Sequence, residues 1–216
     1  MPFTTANLPE RHLFRNNKLL WAYVFLFLVG WLSTLIGTTD IKNWIMENTL
    51  VIIFLSILGL TYRRFQFSDL TYTFIFVYLS LHIYGAMYTY AENPFGYWMK
   101  DVFGFQRNHY DRIVHFSFGF MLAYPMRDFF LNKMKFSNWV CWLLPIEITL
   151  SFSCLYELIE WAVADVFFPE QGIAYLGTQG DIWDAQKDMF MAFTGALIIT
   201  FIVLSAKKLR GAPRVV

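Results

Sequence analysis

The chain has 216 residues, 57% of them hydrophobic and 20% aromatic, with only 15% charged. A soluble domain carries roughly 45–50% apolar and about 25% charged residues, so the composition excludes an ordinary soluble globule. The net charge of +1 says nothing about nucleic acid, and no isolated acidic or basic tail suggests such a partner, so none is expected.

The apolar residues are gathered into segments long enough to cross a bilayer, so the chain reads as an all-α, polytopic membrane bundle of about six spans. After an amino-terminal segment (1–17), the first span runs from Lys18 to Ile36. Arg11, Arg15 and Lys18 before it resemble the start of a signal peptide. The apolar run is too long for one, however, and Thr38, Thr39 and Asp40 offer no small-x-small cleavage site, so the span is expected to be retained. The later spans are expected from Trp44 to Tyr62, Asp69 to Tyr90, Asp111 to Leu131, Asn138 to Val166 and Asp181 to Leu209, which makes 18–209 one transmembrane domain and 210–216 a tail. Cys141 and Cys154 are thirteen apart on one helix, about 20 Å at 1.5 Å per residue, too far to pair.

Lys and Arg set the orientation. Arg11, Arg15, Lys18, Arg63, Arg64, Arg127, Lys133, Lys135, Lys207, Lys208, Arg210 and Arg214 are twelve of the seventeen basic residues, and all fall towards one side. The other side keeps Lys42, Lys100, Arg107, Arg112 and Lys187 among several acids. Both termini are therefore cytoplasmic.

In that orientation His82, Asp111, His115, Glu157, Glu160, Asp181, Asp184 and Asp188 all lie towards the outer ends of spans. Ionisable groups in spans are costly, so they normally face a bundle interior and serve a purpose. Asp111 and His115 are four apart and share a helix face, as do Glu157 and Glu160, three apart. Asp181, Asp184 and Asp188 form a stripe that continues inward as Ala192 and Gly195, small residues that let a neighbouring helix approach closely. The competing reading is plain: Asp111 and Asp181 serve equally well as helix caps, and His115 as a hydrogen-bonded interior histidine. The connections 91–110 and 167–180 are long, lie on the outer side and read as covers over the acidic slab. Tyr88, Tyr90, Tyr97, Trp98, Tyr110, Trp161 and Trp183 fit an interfacial aromatic belt.

Histidines and carboxylates on facing helices offer donors to a divalent metal ion, with zinc, manganese, iron or magnesium as candidates. The metal donors would come from His82, Asp111, His115, Asp181, Asp184 and Asp188. Glu157 and Glu160 would act as catalytic carboxylates, while Arg107, Arg112 and Gln179 would hold an anionic substrate. A lipid or an envelope precursor reaches such a site at this depth, and the enzyme would then be a metal-dependent membrane hydrolase. Two other readings stay open: a proton- or cation-coupled transporter, and a structural or assembly protein with a polar core. The eight candidates exceed what one ion needs, so some must be caps or second-sphere partners.

The strings HIYGAMYTYAENPFG (82–96), RNHYDRIVHFSFG (107–119), YELIEWAVAD (156–165) and GTQGDIWDAQKDM (177–189) resemble the YjdF-type inner membrane proteins. The resemblance covers the third span to the sixth and implies a multi-pass protein of the bacterial inner membrane, with no activity attached. A weaker similarity links Asp111, Arg112, His115, Phe116, Asp184 and Gly195 to the VanZ-like proteins. In that pattern Glu160 stands where a Gln is usual and Asp188 where an Asn is usual, which makes this site more acidic.

Overall fold

The computed structural model describes residues 14–167 and 176–209. The segment 1–13, residues 168–175 of the outer connection with Glu170, and the tail from Arg210 with Arg214 lie outside the described residues.

Polar residues open the first three helices. Asn17 caps α1 (Lys18–Gly37), its Oδ1 accepting from the Leu20 N–H at 2.9 Å. Asp40 accepts from the Lys42 and Asn43 N–H groups, so α2 (Ile41–Thr61) begins three residues before the expected Trp44. Ser68 caps α3 (Asp69–Met87). In each case a side-chain oxygen satisfies a backbone donor that the helix itself leaves free. The third helix stops short of the expected Tyr90, because Thr89 and Tyr90 take φ of 54° and 52° and turn the chain back.

The connection 91–110 is not a plain loop. It contains α4 (Pro94–Phe103), with Asn93 as cap, Pro94 at its first turn and Gly104 in the left-handed conformation after it. Phe95, Trp98, Val102 and Phe103 on α4 are exposed, as suits a short helix lying in the outer interface. Next come α5 (Tyr110–Asn132), α6 (Asn138–Phe167) and α7 (Asp184–Leu209). The last helix starts at Asp184, because residues 176–183 are spent on turns.

Five helices, α1, α2, α3, α6 and α7, are long and apolar enough to cross a membrane. The helix α5, expected as a further span, falls short of that apolarity because its charged residues dilute it. At 23 residues it is about 35 Å long, enough to cross. It packs against α3, α6 and α7 and so occupies the middle of the bundle, where its polar groups are shielded from lipid. Phe25, Leu32, Ile57 and Leu60 on α1 and α2 are exposed, as lipid-facing residues should be. The chain is thus a polytopic helical membrane protein.

An apolar core of Leu20, Phe27, Val51, Tyr72, Ile75, Leu79, Ile83 and Leu122 joins α1, α2, α3 and α5. The tightest contact is between α5 and α7. A Cβ on Gly119 would stand 1.8 Å from the Ala192 carbonyl oxygen, and one on Gly195 would stand 2.2 Å from that of Phe116. The two backbones touch here, which only small residues permit. On α6, Cys141 and Cys154 form no disulfide, and the Cys141 Sγ lies 3.5 Å from the Phe136 carbonyl oxygen. Glu147, two residues after Pro145, is exposed on the outside of the bundle.

Candidate metal centre

Arg107, just before α5, and Arg112, in its first turn, reach across to the start of α7. Arg107 makes a two-pronged pair with Asp184, with Nη2 donating to Oδ2 at 3.0 Å and Nη1 to Oδ1. Its Nη1 also donates to the Thr178 carbonyl at 3.1 Å. Arg112 Nη2 donates to Asp181 Oδ2 at 2.6 Å and to Asp184 Oδ1 at 3.1 Å. Lys187 Nζ donates to the same Asp181 oxygen at 2.6 Å. Paired arginine–carboxylate bonds of this kind fix geometry as well as charge. Gln179 tightens the clamp: its Oε1 accepts from the Asn108 N–H at 2.9 Å and its Nε2 donates to the Asn108 carbonyl at 3.0 Å.

The bonds from Lys187, Arg112 and the Trp183 N–H hold the Asp181 carboxyl well below the usual carboxylate range. Burial pushes the His109 imidazole below its ordinary value, and the Arg112 and Arg107 guanidiniums push the same way.

Just below the clamp three helices converge on a pocket of donors. His115 Nε2 lies 3.5 Å from Asp111 Oδ1 and 3.4 Å from Glu157 Oε1. Ligand-type atoms of Asp111, His115 and Asp188 all fall within 4.8 Å of one another. Asp188 is 2% exposed, and its buried Oδ1 has no hydrogen-bond partner; neither has Glu157 Oε1. Arg112 Nε approaches Asp188 Oδ1 only to 3.9 Å. On the far side of the ring, Ser153 Oγ is 3.5 Å from His115 Nδ1 and sets the imidazole's tilt. Buried acceptors are normally satisfied, so two orphaned carboxylate oxygens around one imidazole are informative.

Asp111, a possible cap, instead turns towards His115, and the α5 cap position is His109, which makes no side-chain capping bond. The stripe of Asp181, Asp184 and Asp188 splits by role: the first two belong to the clamp and the third to the pocket. His82 is held elsewhere, with Nδ1 2.8 Å from the Tyr90 hydroxyl and Nε2 3.3 Å from the Glu47 carbonyl oxygen. Glu160, three residues beyond Glu157, lies within electrostatic reach of Glu47 as well as Glu157.

Glu47 belongs to a polar group that the sequence reading overlooked. It is 8% exposed, and its Oε2 accepts from the Tyr156 hydroxyl at 2.8 Å. Its signal was present in the buried stripe Asn43, Glu47 and Val51, spaced by four.

The chain matches the family of predicted membrane proteins called DUF2238 over residues 19–208. Over 164 residues it is 39% identical to the inner membrane protein YjdF of Escherichia coli (strain K12), an overlap of 75% of this chain and 78% of the relative. These matches carry the first resemblance and not the VanZ-like one. No solved structure matches the chain significantly. With its helices long enough to span a bilayer, the chain belongs to the DUF2238 family and is a multi-pass protein of the bacterial inner membrane.

Proposed function

We propose that Asp111, His115 and Asp188, with Glu157 beside them, hold a divalent cation in the outer half of the bundle. The centre serves hydrolysis of a lipid or a lipid-type envelope precursor. The observation that carries this reading is the pair of buried carboxylate oxygens on Asp188 and Glu157 that accept no hydrogen bond, gathered around one imidazole. Charge points the same way. In the clamp, Arg107, Arg112 and Lys187 face Asp181 and Asp184. Asp111, Glu157 and Asp188 are left as an acidic group beside the clamp, and a divalent ion would offset their charge.

One imidazole with several carboxylates suits manganese, iron or zinc better than a thiol-rich structural site would. A bound ion supplies Lewis-acid polarisation and a nucleophile at neutral pH. Glu157, not needed as a third carboxylate donor, is the group placed to accept the proton from attacking water. Ser153 fixes the ring of His115, and the clamp fixes the start of α7 that carries Asp188. Arg112 Nε, buried and without a hydrogen-bond partner, is available to an anionic oxygen of the substrate. The exposed aromatic face of α4 supplies an apolar approach at the outer interface.

Transport is the weaker reading, because α5 and α7 meet backbone to backbone one turn below the donors and leave no room between them. Elemental analysis of chelator-free, detergent-purified protein tests the metal. A near-stoichiometric divalent metal in the wild type, lost in Asp188→Asn and in His115→Ala while both variants insert and fold, is the expected result. Metal retained in both variants would refute the ligand set.

A further inference from the structure

Near its inner end α5 carries two adjacent charged residues that point in opposite directions. Asp128 turns towards α3, where it accepts from the Thr71 hydroxyl at 3.3 Å, and it also accepts from Asn132 Nδ2, one turn on in α5, at 2.6 Å. Arg127 turns towards α6 and α7. Its guanidinium carbon lies 3.9 Å over the centre of the Trp142 ring, and the residue is only 7% exposed. Two of its nitrogens, Nε and Nη2, are buried without a hydrogen-bond partner. These two share one edge of the guanidinium, so their N–H groups point side by side and can converge on one anionic oxygen of a phosphate or carboxylate.

Arg127 lines a cleft with Tyr124, Trp142, Pro145, Thr200 and Val203, between α5, α6 and α7, and the two nitrogens lie just beneath its surface. The enclosed part is narrow, taking about one oxygen-sized group, while the rest is open to the surroundings. Depth identifies the source of the oxygen. Arg127 is five residues from the end of α5, about 7.5 Å at 1.5 Å per residue. Trp142 is four residues from the start of α6, so both sit near the headgroup–acyl boundary of the inner leaflet. Lys133 and Lys135, exposed in the following turn, add positive potential at the same level. An indole over the guanidinium satisfies its face and leaves its edge for an anion.

We propose that this cleft binds the phosphoryl oxygens of a glycerophospholipid of the inner leaflet, with Arg127 as the gripping group and Trp142 as its platform. The site is separate from the outer centre and does not depend on its chemistry. Only the anionic oxygens enter, and the rest of the headgroup and the acyl chains stay outside, along α6 and α7.

Native mass spectrometry of the delipidated full chain in detergent tests this, with phosphatidylglycerol, a diacylglycerol of the same acyl chains, and inorganic phosphate as probes. The wild type is expected to retain one phosphatidylglycerol in preference to diacylglycerol. Arg127→Lys keeps the charge and loses the paired edge, and should weaken retention by about tenfold; Arg127→Gln should abolish the preference. Lipid that millimolar phosphate cannot displace identifies a phospholipid site. Displacement by phosphate supports the same phosphoryl-binding edge, with free phosphate as a second source. A wild type that holds diacylglycerol as well as phosphatidylglycerol overturns the proposal without reference to any variant. Wild-type preference in both Arg127 variants overturns it equally.

Discussion

Gly119→Ala is the substitution that most directly ties packing to the outer centre. The added Cβ would lie 1.8 Å from the Ala192 carbonyl oxygen and 2.9 Å from the Ala196 nitrogen, whereas ordinary contact begins near 3.4 Å. Both obstacles are backbone atoms, so no side chain can swing away, and α5 and α7 must part locally by roughly 1.5 Å. Overpacking costs about 1–3 kcal/mol when side chains can adjust, and a rigid backbone contact belongs at or above the top of that range. The consequence travels outward. His115 is one turn from Gly119 on α5, and Asp188 is one turn from Ala192 on α7. Parting the helices therefore draws Asp188 away from the other donors, which now lie within 4.8 Å of one another. Reversible unfolding in mixed micelles should show the lost stability, and metal content should fall in the same sample. Gly59→Ala on α2 is the control, because a Cβ there meets nothing within 4 Å. It should be neutral or stabilise by up to about 1 kcal/mol through helix propensity. A Gly119→Ala protein as stable and as metal-loaded as the wild type would refute both the seam and its link to the centre.

Tyr156→Phe removes the 2.8 Å bond to Glu47 and leaves a buried carboxylate oxygen without its donor. A loss of about 1–3 kcal/mol is expected in the same unfolding assay, and no loss would mean that water reaches Glu47. The Asp181 carboxyl is held below its ordinary value in the folded chain, so its contribution is complete above the unfolded value near 3.9 and disappears as pH falls through the folded one. The difference in melting temperature between wild type and Asp181→Asn should therefore be constant from about pH 7 down to about pH 5 and shrink below about pH 4. A difference that grows on acidification would contradict the clamp.

The spans were legible because length and apolarity alone specify a membrane helix. Even α5, the least apolar, announced itself through Asp111 and His115 on one face. The α4 helix was missed although Asn93, Pro94 and Gly104 are start and stop signals, because a twenty-residue polar-to-aromatic connection does not look like a span. Glu47 is one of several acids towards the outer side in the sequence, and only its spacing from Asn43 and Val51 marks it as part of a buried stripe. The division of labour along α7 was not legible at all. Asp184 and Asp188 look alike in sequence, and they differ only because Arg107, 77 residues earlier, reaches the first with two bonds. Likewise, nothing local marks Gln179 as a clip on Asn108, a contact across 71 residues.

The seam also explains why the polar groups sit at the ends of the bundle. Where backbones touch, at Gly119 and Gly195, there is no room for a side chain of any kind and no room for water. Polar groups can be introduced only where the helices diverge. On the outer side the divergence admits His115, Asp188 and the clamp above them; on the inner side it admits Arg127 over Trp142. Because α5 and α7 contribute to both ends, the contact between them works as a fixed spacer. Donors on its outer side are held at one separation before any ion arrives, which lowers the ordering entropy that binding must overcome. A cation carrier would need that spacer to yield. A centre that works from one face of the membrane needs it to stay rigid, and two glycines whose neighbours are backbone atoms are built for rigidity.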